Sequence, residues 1–269
     1  MKRVWIIAGR HDESLLALYQ SCNNYGLECM PAYLHSWETY EQFKTLVEKN
    51  DLLIFLHSTG GTEVFRKIGN EINCKKILNR KVMQNYEICK KSYQQEEVHK
   101  KYPHLAIPTY NKDNITNTIE FPIFIKPDSG SCGEGARIAN NINEINLMPH
   151  EIAQPFIKNT GDWRVIVIGG KAVSVIKRLP SKAGFITNNI STGSFAITET
   201  NEKVLDDITI IAESIASIFE FDYVGVDIIY DTEKLKYLFL EVNEMPTFEA
   251  SQILTGINIS NLLIENLLS

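Results

Sequence analysis

The sequence lacks the features that mark several large classes of protein. Its five cysteines are an odd number without a C-x-x-C pair, which argues against a disulfide framework or a zinc site and indicates reduced thiols. Glycine and proline, at 15 and 9 of 269 residues, are too sparse for a disordered chain. With 44% hydrophobic and 22% charged residues, the chain has the composition of a folded protein large enough for two or three lobes.

Two further absences restrict the environment and the partners. The apolar run Val4–Ala8 is too short for a signal-peptide core, and no apolar stretch reaches the roughly 18 residues of a membrane span. The formal net charge of −6 argues against a general nucleic-acid binder, which usually presents a basic face. We therefore expect a cytoplasmic protein with no membrane or nucleic-acid partner.

The first part of the chain alternates apolar runs with helical stretches, which predicts a small parallel α/β lobe. Pro31 interrupts the second predicted strand. A glycine loop, HSTGGTE, follows the third strand and fits either a ligand cleft or an ordinary strand-to-helix turn. Strands are predicted at Val4–Ala8, Glu28–Tyr33 and Leu52–Leu56, and helices at Ser14–Tyr25 and Tyr40–Glu48.

The remainder of the chain changes from helical to mostly β. A polar segment over Asn79–Lys101 has helical spacing, with Val82, Tyr86, Cys89 and Tyr93 as the expected buried stripe. Later strands are predicted at Ile123–Lys126, Ala136–Ala139, Glu151–Ile157, Arg164–Ile168, Ala172–Lys177, Val224–Tyr230 and Tyr237–Val242, and helices at Val204–Phe219 and Ile259–Leu268.

The segment FIKPDSGSCGEGARI joins a strand, a lysine and a glycine loop. Gly130, Gly133 and Gly135 allow backbone amides to approach phosphate oxygens, and Lys126 adds a positive charge. It is not a Walker A loop, because the lysine precedes the glycines and no helix follows them. The pattern predicts a hairpin that grips phosphates, although the loop alone is equally consistent with a flexible turn.

The segment GVDIIYDTEKLKYLFLEVNEMP places oxygen-bearing side chains on two neighbouring strands. Glu241 and Asn243 are two residues apart and therefore point to the same face of a strand, with Asp227 on the strand before. Their neighbours are strongly apolar, which argues against a solvent-exposed acidic strand. Carboxylate and amide oxygens suit magnesium, which commonly shares nucleotide phosphates with one or two carboxylates.

These motifs, taken in order, resemble the ATP-grasp superfamily of carboxylate-amine ligases over most of Leu78 to Ser251. The likeness is strongest at GDWRVIVIGGKAV and LEVNEMPTFE, which resemble the ligases that add glutamate to ribosomal protein or to an amino-group carrier protein in lysine biosynthesis. The loop KPDSGSCGEG is also similar to that of D-alanine–D-alanine ligase. The resemblance implies an ATP-grasp fold of α/β (α+β) class, with an N-terminal lobe over 1–78 and two ATP-grasp subdomains over 79–155 and 156–269.

The resemblance also implies a role for each matching residue. Arg164 and Arg178 would lie near the γ-phosphate and the reacting carboxylate, where fixed guanidinium groups stabilise developing charge; a solvated strand-end cation is the alternative for Arg178. Asp162 would hold the ribose or orient substrate or nucleotide. Asp227, Glu241 and Asn243 would hold one or two Mg²⁺ ions, for which Mn²⁺ is a possible substitute. ATP contacts are implied at Lys81, Lys126, Ser129, Gly130, Ser131, Gly133, Gln154, Pro155, Phe156, Ile157, Asp162 and Asn188.

One loop departs from the resemblance. The glutamate-adding ligases carry arginines where GFITNNISTGS has Ile186 and Ser191, so either the substrate differs or Lys177 and Lys182 replace the missing charge.

The implied reaction activates a carboxylate as an acyl-phosphate with ATP and joins it to an amine, with a small molecule or a peptide as each substrate. The resemblance leaves open whether two copies of the chain form a homodimer. A kinase on the same scaffold, which phosphorylates a small molecule, is the alternative enzyme. A nucleotide-binding protein without turnover is the alternative from another class.

Overall fold

The computed structural model describes residues 2–8, 13–34, 36–56, 61–116, 119–130, 135–179 and 195–269, without the side chains of Trp37, Thr62 and Tyr86. Within these ranges, no helix combines the length and the apolar character that a membrane span requires.

The N-terminal lobe contains a parallel sheet, as predicted. Its strands are β1 (Arg3–Ile7), β2 (Glu28–Ala32), β3 (Leu52–Phe55) and β4 (Lys76–Ile77), and its helices are α1 (Glu13–Asn24), α2 (Trp37–Leu46) and α3 (Gly61–Glu71). The strand order is β2-β1-β3-β4, with every pair parallel. Pro31 is tolerated because β2 lies at the edge of this sheet, where a missing amide can face away from the neighbouring strand.

Helix α3 was not predicted, because its start belongs to the glycine loop. Val64, Phe65 and Ile68 are buried and give this helix its apolar face. The helix packs closely on a short helix, α4 (Arg80–Gln84), since a Cβ at Gly69 would lie 2.6 Å from the Met83 Cβ. The preceding loop, at 57–60, lies outside the described residues.

The polar segment predicted as one helix is divided into three pieces. Helix α4 is followed by a 3-10 turn at Tyr86–Cys89 and by α5 (Lys91–Lys101). The amides of Lys91 and Ser92, which a continuous helix would bond to its own preceding turn, donate to Asp128 instead. The prediction of a single helix was therefore wrong, although Val82, Cys89 and Tyr93 of the predicted stripe pack on one hydrophobic core. The buried residues of α5 are Lys91, Gln94, Gln95 and Val98.

A small antiparallel sheet with the order β6-β5-β7 comes next. Its strands are β5 (Ile123–Pro127), β6 (Arg137–Ala139) and β7 (Glu151–Pro155), which lie close to the predicted positions. Ile123, Ile125 and Ala153 form the centre of its separate hydrophobic cluster.

The largest sheet is antiparallel and has the order β10-β9-β8-β11-β12. Its strands are β8 (Asp162–Ile168), β9 (Lys171–Leu179), β10 (Phe195–Thr198), β11 (Tyr223–Asp231) and β12 (Lys236–Asn243). The predicted turn at Gly169 and Gly170 joins β8 to β9, and both glycines have positive φ, +56° and +78°. Helix α6 (Glu202–Phe219) packs on one face through Ile208, Ala212 and Ile215.

The end of the chain returns to the N-terminal lobe. Helices α7 (Glu249–Thr255) and α8 (Ile259–Leu268) follow β12, and α8 packs on α1, β3 and β8. Leu263 and Ile264 share a buried cluster with Leu15, Leu18 and Ile166. A common core therefore crosses the boundary predicted after residue 78, and the division into three units stays a prediction.

Candidate functional site

The predicted oxygen donors lie on one face of the large sheet. Asp227 and Glu241 are direct partners across β11 and β12, so their side chains leave the same face. Asn243, two residues beyond Glu241, faces the same way opposite Gly225. Gly225 leaves room for the Arg164 side chain, because a Cβ at position 225 would lie 2.9 Å from the Arg164 Cδ.

Both predicted arginines join this face from the neighbouring strands. Arg164 is the cross-strand partner of Asp227 and bonds it through two nitrogens, one of them Nη2 at 2.9 Å from Oδ2. Arg178 lies opposite Asp162, donates from Nε to Asp162 Oδ1 at 2.5 Å, and reaches Asp227 Oδ2 at 2.9 Å. Register between three strands, β9, β8 and β11, therefore assembles a row of two guanidinium groups and two carboxylates.

This row is buried, and its charges hold one another in the ionised state. Burial alone would raise the pKa of Asp227, but Arg164 and Arg178 outweigh it and the pKa of this carboxyl is lowered. Burial likewise opposes the charge of Arg178, while Asp227 and Asp162 raise its pKa above the ordinary value. Arg178 is therefore a buried, paired cation and not the solvated strand-end cation considered as an alternative.

Asp162 is committed to Arg178. Its residue is 3% exposed, and its carboxylate bonds the guanidinium group. A carboxylate buried in this way is suited to orienting an arginine and poorly placed to bind a ribose.

Lys126 approaches the same face from the small sheet. It lies on β5, is 7% exposed, and has its Nζ 5.8 Å from the centre of the Phe124 ring. Burial lowers its pKa to about 8, Glu241 opposes this fall, and Lys91 adds to it. The charges of Glu241 and Asp227 both act on Lys126, so its ammonium group lies near enough to these carboxylates to interact with them.

A second lysine in this cleft, Lys91, was missed by the sequence analysis. It is 9% exposed, begins α5, and places its Nζ 2.8 Å from the Gly130 carbonyl oxygen and 3.6 Å from Glu241 Oε2. The signal that could have revealed it is the polar stripe of Lys91, Gln94 and Gln95, whose spacing is helical although its residues are not apolar.

Lys81, in contrast, is not brought to this cleft. Its Nζ lies 2.6 Å from Glu220 Oε1, and both side chains are about two-thirds exposed, 66% and 62%. The pair borders a separate surface pocket of about 170 Å³, together with Asn85, Tyr93 and Glu97. Lys91, and not Lys81, is the lysine that lies beside Glu241.

The predicted adenine segment runs along β7. Gln154 is opposite Phe124 and so shares the Lys126 face; it is 2% exposed and donates from Nε2 to Thr109 Oγ1 at 2.8 Å. Pro155 ends the strand, Phe156 is exposed, and the Phe156 amide bonds the Pro122 carbonyl at 2.9 Å. Ile157 packs with the apolar cluster of Ile107, Ile229 and Leu238.

The glycine loop is described only at its two ends. Ser129 and Gly130 are exposed directly after β5, and Gly130 has a φ of +114°, which favours glycine. The other predicted contacts, Ser131, Gly133 and Asn188, lie outside the described residues, as do Lys182, Ile186 and Ser191.

Lys177 faces away from the site. Side chains alternate along β9, so Lys177 and Arg178 leave opposite faces. The Lys177 Nζ stacks 4.8 Å from the centre of the Trp163 ring, beneath α6. It does not supply the charge that the neighbouring loop lacks.

The donor set fits a hard cation. Both Asp227 oxygens already accept from arginines, whereas Glu241 has 28% of its side chain exposed and Asn243 is half-buried. Among the described residues, no group of three or more His, Cys, Asp or Glu side chains is assembled for a metal. Two carboxylates and an amide are nevertheless what Mg²⁺ needs when phosphate oxygens and water complete its shell.

The pKa of Lys126 predicts how anion binding depends on pH. A phosphate needs the protonated ammonium, so the affinity for AMPPNP with Mg²⁺ is expected to fall up to about tenfold per unit as pH rises above about 8. The charged groups that face Lys126 are Glu241, Lys91, Asp227 and Asp128. Calorimetric titrations between about pH 7 and about pH 9 test this. Lys126→Arg should flatten the profile, and an affinity that is constant in the wild type would contradict the prediction.

Comparison with known proteins agrees with the predicted family. The RimK-like ATP-grasp domain matches residues 70–267. A probable alpha-L-glutamate ligase of Psychromonas ingrahamii is 31% identical over 168 residues, which cover 59% of this chain and 54% of the relative. The chain thus spans about half the length of that curated relative.

Solved structures agree with the predicted fold. D-alanine–D-alanine ligase from Bacillus anthracis superposes with a TM-score of 0.70 at 16% identity, covering 100% of this chain and 98% of that one. A RimK domain ATP-grasp protein from Sphaerobacter thermophilus gives 0.66 at 11% identity, covering 99% and 100%. The ATP-grasp fold, with its parallel N-terminal lobe, is confirmed.

Proposed function

The chain belongs to the RimK-like ATP-grasp family, and from this premise we propose that it is an ATP-dependent ligase that joins a carboxylate to an amine. One observation carries the proposal: buried Lys91 of α5 lies 3.6 Å from Glu241, which shares a strand face with Asp227 and Asn243, and the charges of Glu241 and Asp227 also act on buried Lys126 of β5. In this proposal the two lysines bind a triphosphate and the oxygen donors bind its counterion.

Lys91 and Lys126 bind the α- and β-phosphates of ATP in this proposal. Both ammonium groups are almost removed from water, where a charge interacts more strongly with phosphate than it does at the surface. Ser129 and Gly130 begin the loop that covers the triphosphate, and Gln154 to Ile157 contact the adenine.

Glu241 and Asn243 hold Mg²⁺, and Asp227 contributes while it keeps the two arginines in place. The ion would supply positive charge that neutralises the phosphates. We propose that these residues hold one or two ions.

The residues of the buried row act on the transferred group. A substrate carboxylate oxygen attacks the γ-phosphorus, the bond from this phosphorus to the β-phosphate oxygen breaks, and ADP leaves. Arg178, fixed by Asp162 and Asp227, stabilises the charge on the phosphoryl group without reorganisation. An amine then attacks the acyl carbon, loses a proton and expels phosphate, which leaves an amide.

The names of the relatives support a proposal for the substrate class. Because curated relatives are named probable alpha-L-glutamate ligases, we propose an amino acid or a peptide as one substrate. Small-molecule and peptide acceptors both fit the proposal.

The function is tested by measuring ADP release over a panel of amino acids and peptides, with products identified by mass spectrometry. We expect ADP and phosphate in equal amounts only when both a carboxylate and an amine are present, with a product equal to their combined mass less one water. A stable phosphorylated product would indicate a kinase and overturn the proposal.

A further inference from the structure

Helix α5 connects the two sheets that form the cleft. Its buried face contacts the small sheet at the N-terminal end and β12 further along. Lys91 lies at the point where the two contacts meet, because its Nζ bonds the Gly130 carbonyl and approaches Glu241. The position of α5 thus determines where this ammonium group stands between the two walls.

The contact with the small sheet is made by Asp128, two residues after Lys126. Its carboxylate accepts from the Ser92 amide at 2.7 Å and from the Ser92 hydroxyl at 2.7 Å. Its carbonyl oxygen accepts from the Lys91 amide at 2.9 Å. The residue that precedes the helix, Lys90, makes no side-chain cap, so Asp128 supplies this cap from another element.

The contact with the large sheet is made by two buried glutamines. The amide group of Gln94 pairs with the backbone of Val242, accepting at 2.9 Å and donating at 3.2 Å. Gln95 donates to the carbonyl oxygens of Phe239 and Leu240 at 2.9 and 3.0 Å. Since β12 is the edge strand, these side chains take the place of a further strand and fix α5 beside Glu241.

We propose that Asp128 and Ser92 are positioning residues that lock β5 to α5 and so hold Lys126 and Lys91 at the separation that a triphosphate requires. The proposal rests on the proposed function, because it assigns the lock to the same nucleotide. The effect of Asp128 on the nucleotide is indirect, because it holds Lys126 on β5 and Lys91 on α5 in position. Releasing the lock lets the small sheet shift while α5 stays on β12.

A cap that serves only the helix would behave differently. Loss of such a cap lowers thermal stability and leaves nucleotide affinity unchanged. A lock that sets the spacing of two phosphate-binding cations changes affinity, and a substitution that keeps its hydrogen bonds restores it. Asparagine at position 128 keeps an acceptor for the Ser92 amide and can bond the Ser92 hydroxyl through its own amide group.

The experiment is calorimetric titration of the full chain with AMPPNP and Mg²⁺, with thermal unfolding of each variant. Asp128→Ala is expected to raise the Kd about tenfold, Ser92→Ala about threefold, and Asp128→Asn less than about threefold. The double variant Asp128→Ala/Ser92→Ala should match Asp128→Ala alone, because both remove one lock. The matched control is Glu144→Ala, which removes a loop acceptor bonded to the Asn140 amide at 2.8 Å in the same part of the chain and should leave the Kd unchanged.

Two results would overturn the proposal and can be told apart. Wild-type affinity in Asp128→Ala, with or without a lower Tm, would reduce Asp128 to a helix cap and leave the proposed function intact. A wild-type protein that binds no AMPPNP would remove the proposed function and the lock together.

Discussion

Replacing Glu241 with glutamine is expected to lower the rate of ATP-dependent ligation by about a hundredfold or more, with the fold retained. The substitution keeps the shape of the side chain and removes the negative charge that faces Lys91, at 3.6 Å, and the proposed cation. Asp227 would give a less informative variant. Its loss would leave the largely buried Arg164 without its carboxylate partner and Arg178 with Asp162 alone; breaking a buried pair destabilises proteins by about 3–5 kcal/mol and would confuse activity with folding.

The measurement is ADP release at saturating substrates over a range of Mg²⁺ concentrations, because a lost cation ligand raises the concentration required. Glu233→Gln provides the matched control: it lies in the exposed turn at the far end of the same hairpin, where it contacts Lys158 at 3.3 Å. A Glu241→Gln variant with the rate and Mg²⁺ dependence of the Glu233→Gln variant would exclude the proposed cation site.

Local periodicity accounts for the parts of the site that were predicted well. Glu241 and Asn243 could be assigned to one face from their spacing alone, because a strand alternates its side chains whatever surrounds it. Helix α8 has the predicted bounds, Ile259–Leu268, since its apolar spacing and its Asn258 cap are both local signals. The Gly169–Gly170 turn was recognisable for the same reason.

Register and tertiary partners account for what was not predicted. The pairing of Asp162 with Arg178 depends on how β8 and β9 align, and one residue of slip would send the arginine to the face that Lys177 occupies. No periodicity in the sequence encodes that alignment. The bonds of Arg178 to two acids therefore appeared only in the folded chain.

The break between α4 and α5 is the clearest failure of local reasoning. The sequence from Asn79 to Lys101 has acceptable helix propensity throughout, yet Asp128 captures the first amides of α5 from 36 residues away. That distant carboxylate decides where the helix begins. Lys91, the first residue of this helix, lies 3.6 Å from Glu241, whereas Lys81 pairs with Glu220 at the surface.

Replacing Lys91 with methionine is expected to weaken the binding of AMPPNP with Mg²⁺ by about a hundredfold, since methionine keeps the length of the side chain and removes its charge. A buried ammonium beside Glu241 has little water to lose when it binds phosphate, so most of its attraction reaches the ligand. Thermal unfolding of the variant establishes that α5 still docks, because Gln94 and Gln95 hold it independently of the lysine.

Lys81→Met is the matched control, and it separates the two lysines directly. The Lys81 ammonium pairs with Glu220 at the surface, where an exposed ion pair contributes about 0–1 kcal/mol to stability, so both AMPPNP affinity and Tm should stay close to wild type. Similar losses of affinity in the two variants would place Lys81 in the nucleotide site after all. A loss confined to Lys81→Met would remove Lys91 from the site, because a residue 9% exposed and 3.6 Å from Glu241 could not be silent if the triphosphate entered this cleft.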